Sequence, residues 1–186
     1  MHRALTFFVA ALGLVSAACT SINQGEVGFK RVWGKLDPTP LQPGLIVYEQ
    51  VSTDIIKIPI RTVTKTIELN LPSKEGLTIN SQISILYRIE PRMAATLVAS
   101  VGLDYEEGLI SAVFRSAAAD VSANFLAKDM HSGKRRDIEQ RIREVMRDNL
   151  EKRGIVVEAV LMKSISLPPG LAQSVEAKLS AAKAGK

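Results

Sequence analysis

Cysteine and histidine are scarce in this sequence, and their scarcity excludes several kinds of functional site. The only cysteine is Cys19, so no internal disulfide can form, and the two histidines are His2 and His131. Neither histidine stands in a cluster with other metal-binding residues, so we expect neither a zinc site nor a Cys–His nucleophile. We therefore predict a protein that is not an enzyme, with no catalytic residues, metal or cofactor, and we interpret His131 as a solvated loop residue.

Aromatic residues are also few, at 5% of the chain, so β-branched residues, leucine and alanine must form most of the interior. Apolar residues make up 46% and charged residues 23% of the 186 residues, which is the range of ordinary folded proteins. This length predicts one domain with a real core. The formal net charge of +5 is too modest to indicate a nucleic-acid partner.

The first part of the chain lacks charge. After the basic start "MHR", no charged residue occurs from Ala4 to Ala18, and small residues crowd the end of this run. A basic start, an apolar stretch and a small-residue end are the three parts of a secretory signal. Residues 1–18 are therefore predicted to be a signal or membrane-targeting segment.

Cys19 directly follows Ser16-Ala17-Ala18, an arrangement that resembles the lipobox of bacterial lipoproteins. In that family the cysteine sulfur receives a diacylglyceryl group, the signal is cut before the cysteine, and the new amine is acylated. Several acyl chains hold a protein on a bilayer where one gives only marginal binding. The resemblance makes Cys19 a candidate lipid-attachment residue, although Ser16 stands where the family usually carries an aliphatic residue. In a cell with two membranes, Thr20, in place of the aspartate that commonly retains lipoproteins at the inner membrane, would favour the outer membrane; the choice between the two membranes stays open.

Two other interpretations of this segment stay open. Ordinary cleavage near Ala18 would leave a soluble exported protein with a free thiol. Alternatively, the uncharged run continues to Ile22 and approaches the ~17–20 residues of a short transmembrane helix. All three interpretations send the chain to or across a membrane, and residues 19–24 then form the anchor and a short linker.

From Gly25 onward the pattern changes to short alternating runs separated by glycine and proline. The two longest runs, Arg61–Leu71 and Leu77–Ile89, alternate apolar and polar residues, which indicates a half-buried antiparallel pair. Further strands are predicted at Gly25–Lys35, Leu45–Gln50, Thr53–Ile60 and Ile155–Leu167. In the last of these we place one apolar set on one face, namely Ile155, Val157, Ala159, Leu161 and Ile165.

Helical periodicity occupies the second half of the chain. Helices are predicted at Pro91–Gly102, after Asp104, from the cap residue Ser132 to Gly154, and at residues 168–186. Asp104 and Glu107 have the spacing of a capping box. Strands, then helices, then a strand and a helix predict an α+β fold, a mostly antiparallel β-sheet with helices packed on one face.

The densest charge lies in residues 133–154, which could contact nucleic acid or anionic lipid. We interpret it as a solvated helix face, because oppositely charged residues stand four apart and such pairs stabilise a helix; contact with lipid headgroups stays open. The expected pairs are Asp137–Arg141, Glu139–Arg143 and Asp148–Lys152.

Three apolar residues lie close to the anchored end and are candidate membrane-interface residues: Trp33, Leu41 and Leu45. Tryptophan is enriched at the headgroup level of membranes. Packing of Trp33 in the core is an equally supported alternative.

Six stretches in order resemble the SPFH or Band 7 domain, and prohibitins most closely. They are "GEVGFKRVWGK", "LQPGLIVYEQ", "IKIPIRT", "SKEGLTINSQISILYRIEP", "GLDYEEGLISAVFRSAAADVSANFLAKDM" and "RGIVVEAVLMKSISLPPGLAQSVEAKLSA". The resemblance extends from about Gly25 to Ala182, and we assign residues 25–167 to this domain.

The resemblance implies a membrane-anchored scaffold that forms large homo-oligomers and organises or modulates membrane proteins, including a membrane protease. Its implied partners are membrane lipids and membrane proteins. The signal-like segment predicts the extracytoplasmic face of a bacterial envelope, where we expect no nucleic-acid partner. The family usually continues into a long helix that joins neighbouring subunits, whereas residues 168–186 offer only its start. The alternative function is a small ligand-binding or chaperone-like module of the envelope that acts without large-ring assembly.

Overall fold

The structure is a computed structural model that describes residues 17–131 and 133–166. The predicted signal segment up to residue 16, the cap residue Ser132 and the predicted C-terminal helix at 168–186 lie outside the described residues. The eight described strands are β1 (Ala17–Ile22), β2 (Glu26–Val32), β3 (Lys35–Leu36), β4 (Gly44–Glu49), β5 (Thr53–Pro59), β6 (Val63–Pro72), β7 (Thr78–Ile89) and β8 (Ile155–Ser166).

The described helices are α1 (Ala94–Val101), α2 (Ala112–Ser122), α3 (Ala127–His131) and α4 (Arg135–Leu150). A π-helical segment, Glu106–Ser111, leads into α2, and a 3₁₀ turn, Glu151–Arg153, follows α4. The predicted α+β class is confirmed, with paired strands that run antiparallel. The chain divides into two compact units, one containing residues up to 61 and 89–102, the other residues 62–88 and those from 103.

The first unit contains two small sheets, a β1–β4 ribbon and a sheet in the order β3-β2-β5. Ile22, at the end of β1, is buried against Gly28 of β2: a Cβ added to Gly28 would lie 2.2 Å from Ile22 Cδ1. Leu41 crosses the same point, because its N–H donates to the Gly28 carbonyl at 2.8 Å. Gly28 is therefore the close-approach position that lets the ribbon and the β2 sheet pack together.

Strand β1 was not among the strands predicted from the sequence. Ala17–Ile22 pairs with β4 over six residues, and this strand contains most of residues 19–24, the predicted anchor and linker. The uncharged run, for which a membrane helix was one of three interpretations, thus ends in a strand, since the β4 edge supplies main-chain hydrogen bonds that local hydropathy does not reveal.

The second unit is built on the sheet β6-β7-β8. The predicted alternation of β6 and β7 is confirmed: Ile67, Leu69 and Leu71 are buried on β6, and the strand pairs with β7 from Val63↔Tyr87 to Pro72↔Thr78. Helices α2 and α4 contribute the opposing apolar stripe, which consists of Phe114, Ala117, Val121, Ile138, Ile142, Met146 and Leu150. Gly154, with φ of 78°, ends the helical region as predicted.

The inward-facing set predicted for β8 is wrong beyond Val157. Val160 and Met162 are buried, whereas Leu161 is 44% exposed. The alternation therefore shifts by one residue between Val157 and Val160, as happens where a strand contains an extra residue opposite its partner.

Two local hydrogen-bond predictions are also wrong. No side chain caps the π-helical segment, and Glu107 instead pairs with Lys65 of β6. In α4 the ion pairs join other partners: Arg135 with Glu139 at 3.3 Å and Arg147 with Asp148 at 3.4 Å. The α4 pairs are local like the predicted ones but join different residues, whereas Glu107 has a tertiary partner. A local pair contributes only ~0.2–0.5 kcal/mol, so its choice of partner is easily changed.

Candidate functional site

One side of the β1–β4 ribbon presents apolar side chains to solvent. Cys19 lies directly opposite Val47, and Ser21 opposite Leu45, and side chains of directly opposed residues share a face. Leu45 is 71% and Val47 62% exposed, and the Cys19 thiol is free and exposed. We call these four uncharged residues the ribbon face; Glu49, opposite Ala17, is the next residue of β4 on the same side and supplies a carboxylate at its end.

A second apolar surface lies at the turns after β2 and β4. Val32 and Lys35 are paired, so Trp33 and Gly34 form a two-residue hairpin turn, and both have positive φ, 50° and 81°. This is the pattern of a type I′ turn. The Trp33 N–H donates to the Ser52 carbonyl at 2.9 Å, which joins this turn to the β4–β5 turn. Trp33 is 79% exposed and Val51 72%; with Val32 they form what we call the turn tip.

The structure places the three predicted interface residues in different surroundings. Packing of Trp33 in the core is excluded by its exposure, and Leu45 belongs to the ribbon face. Leu41 is half-buried beside Gly28, where it supports the fold. The sequence analysis missed Val47 and Val51. A signal was available for Val47, because "LIVY" is apolar at every position, so this short strand must expose apolar side chains on one face.

Charges around the turn tip balance. The flanking cations are Lys30, Arg31 and Lys35, and the flanking anions are Asp37, Glu49 and Asp54. Arg31 forms an ion pair with Asp54 at 2.9 Å, and the Glu49 carboxylate accepts hydrogen bonds from the Val51 N–H and the Ser52 hydroxyl. The tip is therefore an apolar surface with a neutral border.

The second unit contains a separate cluster of ionisable side chains at the π-helical segment. Lys65 Nζ contacts the carboxylates of Glu106, at 3.0 Å, and Glu107. The Lys65 hydrogen bond holds the pKa of Glu107 below its usual value. Burial raises the pKa of Tyr87, and the nearby Glu106 carboxylate adds to this effect. The cluster joins β6 to the start of the helical region, and its charges are used in mutual pairing.

The free edge of β8 is covered by side chains of α4. Glu139 Oε1 accepts a hydrogen bond from the Met162 N–H at 2.8 Å, and Arg143 donates to the Glu158 carbonyl at 3.5 Å. Both main-chain groups lie where a neighbouring strand would bind, so these side chains shield the edge from pairing with another chain.

Neither a metal cluster nor a membrane-spanning helix occurs in the described part of the chain. Among residues 17–131 and 133–166, no three His, Cys, Asp or Glu side chains come close enough together to hold a metal ion. In the same residues, no helix is long and apolar enough to cross a bilayer. His131 is the last residue of α3 rather than a loop residue.

Two comparisons with known proteins give matches. The model of the SPFH domain / Band 7 family matches residues 20–184. Prohibitin-1 of Saccharomyces cerevisiae is 25% identical over 119 residues, which are 64% of this chain and 41% of that protein. The matched region is thus about two fifths of the relative's length.

Proposed function

Since this chain belongs to the SPFH domain / Band 7 family, we propose that it is a membrane-anchored, prohibitin-like scaffold that organises or modulates membrane proteins of a bacterial envelope. The observation that carries the proposal is the family match at residues 20–184, which begins immediately after an uncharged, signal-like segment. The similarity to a prohibitin supports a scaffold rather than an enzyme. A membrane protease is among the partners that the proposal includes.

The proposed anchor is a lipid on Cys19, at the extracytoplasmic face. An exposed thiol supports this assignment, and so do the uncharged neighbours Val47 and Leu45 on the ribbon face. Attached acyl chains would enter the bilayer beside these apolar side chains. Glu49, at the end of the same side of β4, would stay at the headgroup level, because burying its charge would be costly. Anchoring there would also place the first unit at the membrane surface.

Intact mass measurement of the protein from its native membrane fraction tests the anchor. We expect loss of residues 1–18 together with the added mass of acyl chains, and we expect Cys19→Ala to abolish both changes. An unprocessed mass would assign the anchor to the uncleaved N-terminal segment, and a processed, unacylated protein in the soluble fraction would refute membrane anchoring.

Scaffolding is tested separately, by the assembly state and by partner capture. Native electrophoresis and chemical cross-linking in mild detergent should show homo-oligomers, and affinity purification should retain envelope membrane proteins. The mature chain from residue 19 with Cys19→Ala, which carries neither the signal segment nor a lipid, serves as the control for partners that bind without an anchor. A strictly monomeric protein that retains no membrane protein would contradict the scaffold proposal.

A further inference from the structure

Trp33 occupies a backbone position that its side chain does not favour. Its φ of 50° lies in the left-handed region, which suits Gly, Asn or Asp and is unusual for a bulky residue. The fold gains little in exchange, because the indole is 79% exposed. A residue that strains the backbone without packing in the core indicates a role outside the fold.

The neighbours of Trp33 extend the same apolar surface. Val51 lies one residue before Ser52, whose carbonyl accepts the Trp33 N–H, and Val51 is itself 72% exposed. Val32 adds a partly exposed side chain next to the indole. The hydrogen bond between the two turns fixes them side by side, so the apolar side chains form a preorganised tip rather than two independent loops.

The chain outside the described residues enters at this end of the ribbon. Ala17 lies opposite Glu49, which is two residues from Val51 along the chain. The thirteen residues before Ala17, from Ala4 to Ser16, carry no charge. Either proposed anchor, the lipid on Cys19 or the uncharged segment before Ala17, is attached to β1, and β1 pairs with β4, which leads into the turn that carries Val51.

We propose that the turn tip inserts into the interfacial zone of a lipid bilayer, as a second membrane contact beside the N-terminal anchor. The inference rests on the proposed function and adds where the domain touches the lipid. Trp33 supplies the amphipathic ring that favours the headgroup level, while Val32 and Val51 enter the acyl boundary. Because the flanking charges balance, insertion does not require anionic lipid. A membrane contact made by basic residues would require it.

Trp33 is the only tryptophan in the chain, so its fluorescence reports the tip directly. Full-length protein is transferred from detergent into vesicles of zwitterionic phosphatidylcholine, with and without lipids brominated along the acyl chain. We expect the Trp33 emission to shift to shorter wavelength and to be protected from quenching by aqueous iodide. Lipids brominated near the interface should quench Trp33 at least twofold more strongly than they quench a control tryptophan. The same result is expected in vesicles that contain anionic lipid and at high salt.

The control probe is the variant Trp33→Phe with Gln24→Trp. Gln24 is exposed in the turn before β2, at the opposite end of that strand from the tip, so its indole should stay accessible to iodide. Equal iodide quenching at both positions would overturn the inference, as would insertion that needs anionic lipid. A blue shift produced by raising the protein concentration without vesicles would assign the tip to self-association instead, and would also overturn it.

A second variant separates a structural role from membrane contact. Trp33→Asn places a favoured residue in the turn, so the thermal midpoint should stay equal or rise. In the mature chain from residue 19 with Cys19→Ala, which carries neither the signal segment nor a lipid, the same change should lower vesicle binding severalfold. A clear drop in the midpoint would show that Trp33 serves the fold and refute the inference. If the protein floats with membranes while Trp33 stays accessible to iodide, insertion of the turn tip would be refuted and the anchoring proposal would be left intact.

Discussion

The contact between Gly28 and Ile22 offers a stability prediction whose sign can be reversed by one methyl group. In Gly28→Ala, the new Cβ would lie 2.2 Å from Ile22 Cδ1, 3.1 Å from Cγ1 and 3.4 Å from Leu41 Cβ. Overpacking of this kind costs ~1–3 kcal/mol. Replacing glycine by alanine in a strand also raises the free energy of unfolding by ~0.5–1 kcal/mol, because alanine restricts the unfolded chain. The expected net result is destabilisation by roughly 1 kcal/mol, the difference of these two terms.

Ile22→Val removes the atom in closest conflict. Alone, this change should cost ~0.5–1.5 kcal/mol, because Ile22 is buried. In its background the nearest clash is gone, so Gly28→Ala should become neutral or stabilise by up to ~1 kcal/mol. The coupling between the two changes is then about 1–2 kcal/mol, which is well above the ~0.5 kcal/mol within which independent sites add.

The measurement is a urea unfolding series of the four proteins in one detergent, followed by hydrogen exchange of peptides from β2 and β5, since these strands and both mutated residues lie in the first unit. Gly108→Ala is the matched control, because an added Cβ there meets nothing within 4 Å; thermal melts followed by circular dichroism should show no loss of stability. If Gly28→Ala were equally destabilising with and without Ile22→Val, Ile22 would not be the obstacle and the packing account of the ribbon would be refuted.

Three further predictions concern the second unit. Val160→Asp should destabilise by more than ~3 kcal/mol and Leu161→Asp by less than about 1 kcal/mol in thermal melts, since only the first buries a charge; the reverse order would refute the shifted alternation of β8. Glu139→Ala should cost ~1–3 kcal/mol because it leaves the Met162 N–H without an acceptor, whereas Glu139→Gln, which keeps one, should cost less; equal losses would contradict the edge-shielding role. The raised pKa of Tyr87 means that the folded state holds the phenol proton more tightly than the unfolded chain, so its stabilising contribution is complete below the ordinary pKa of 10.0 and is lost as pH rises above it. Tyr87→Phe should therefore flatten the fall of the thermal midpoint at alkaline pH, and an unchanged slope would contradict this assignment.

Much of the second unit follows from local sequence pattern. Period-two alternation predicted the pairing of β6 with β7, and four-residue spacing predicted the buried stripe of α4, because both patterns reflect burial of one face of a single element. The β8 strand shows the limit of this reasoning. Its residues are apolar at nearly every position from Ile155 to Met162, so periodicity cannot decide which of Val160 and Leu161 is buried; the packing of α4 decides it.

The first unit depends more on tertiary structure. Sequence identified Cys19, Trp33 and Leu45 as candidates, from a signal-like segment and from their nearness to it. The sequence supported a buried and an exposed position of Trp33 equally, because an isolated aromatic residue between turn residues belongs to no periodic pattern that would assign its face. The hairpin geometry exposes the ring, and the Ser52 carbonyl holds the turn in place.

By itself, the sequence determined the α+β class, the family resemblance and the uncharged segment before Cys19, since composition and periodicity are local properties of the chain. Only the tertiary structure decided that residues 17–22 form a strand, that Val47 joins Cys19 on one exposed face, and that Val51 joins Trp33. The physical reason is that strand register and turn-to-turn hydrogen bonds link residues that are distant in the chain, and no local pattern encodes which partner a strand edge or a main-chain N–H will find.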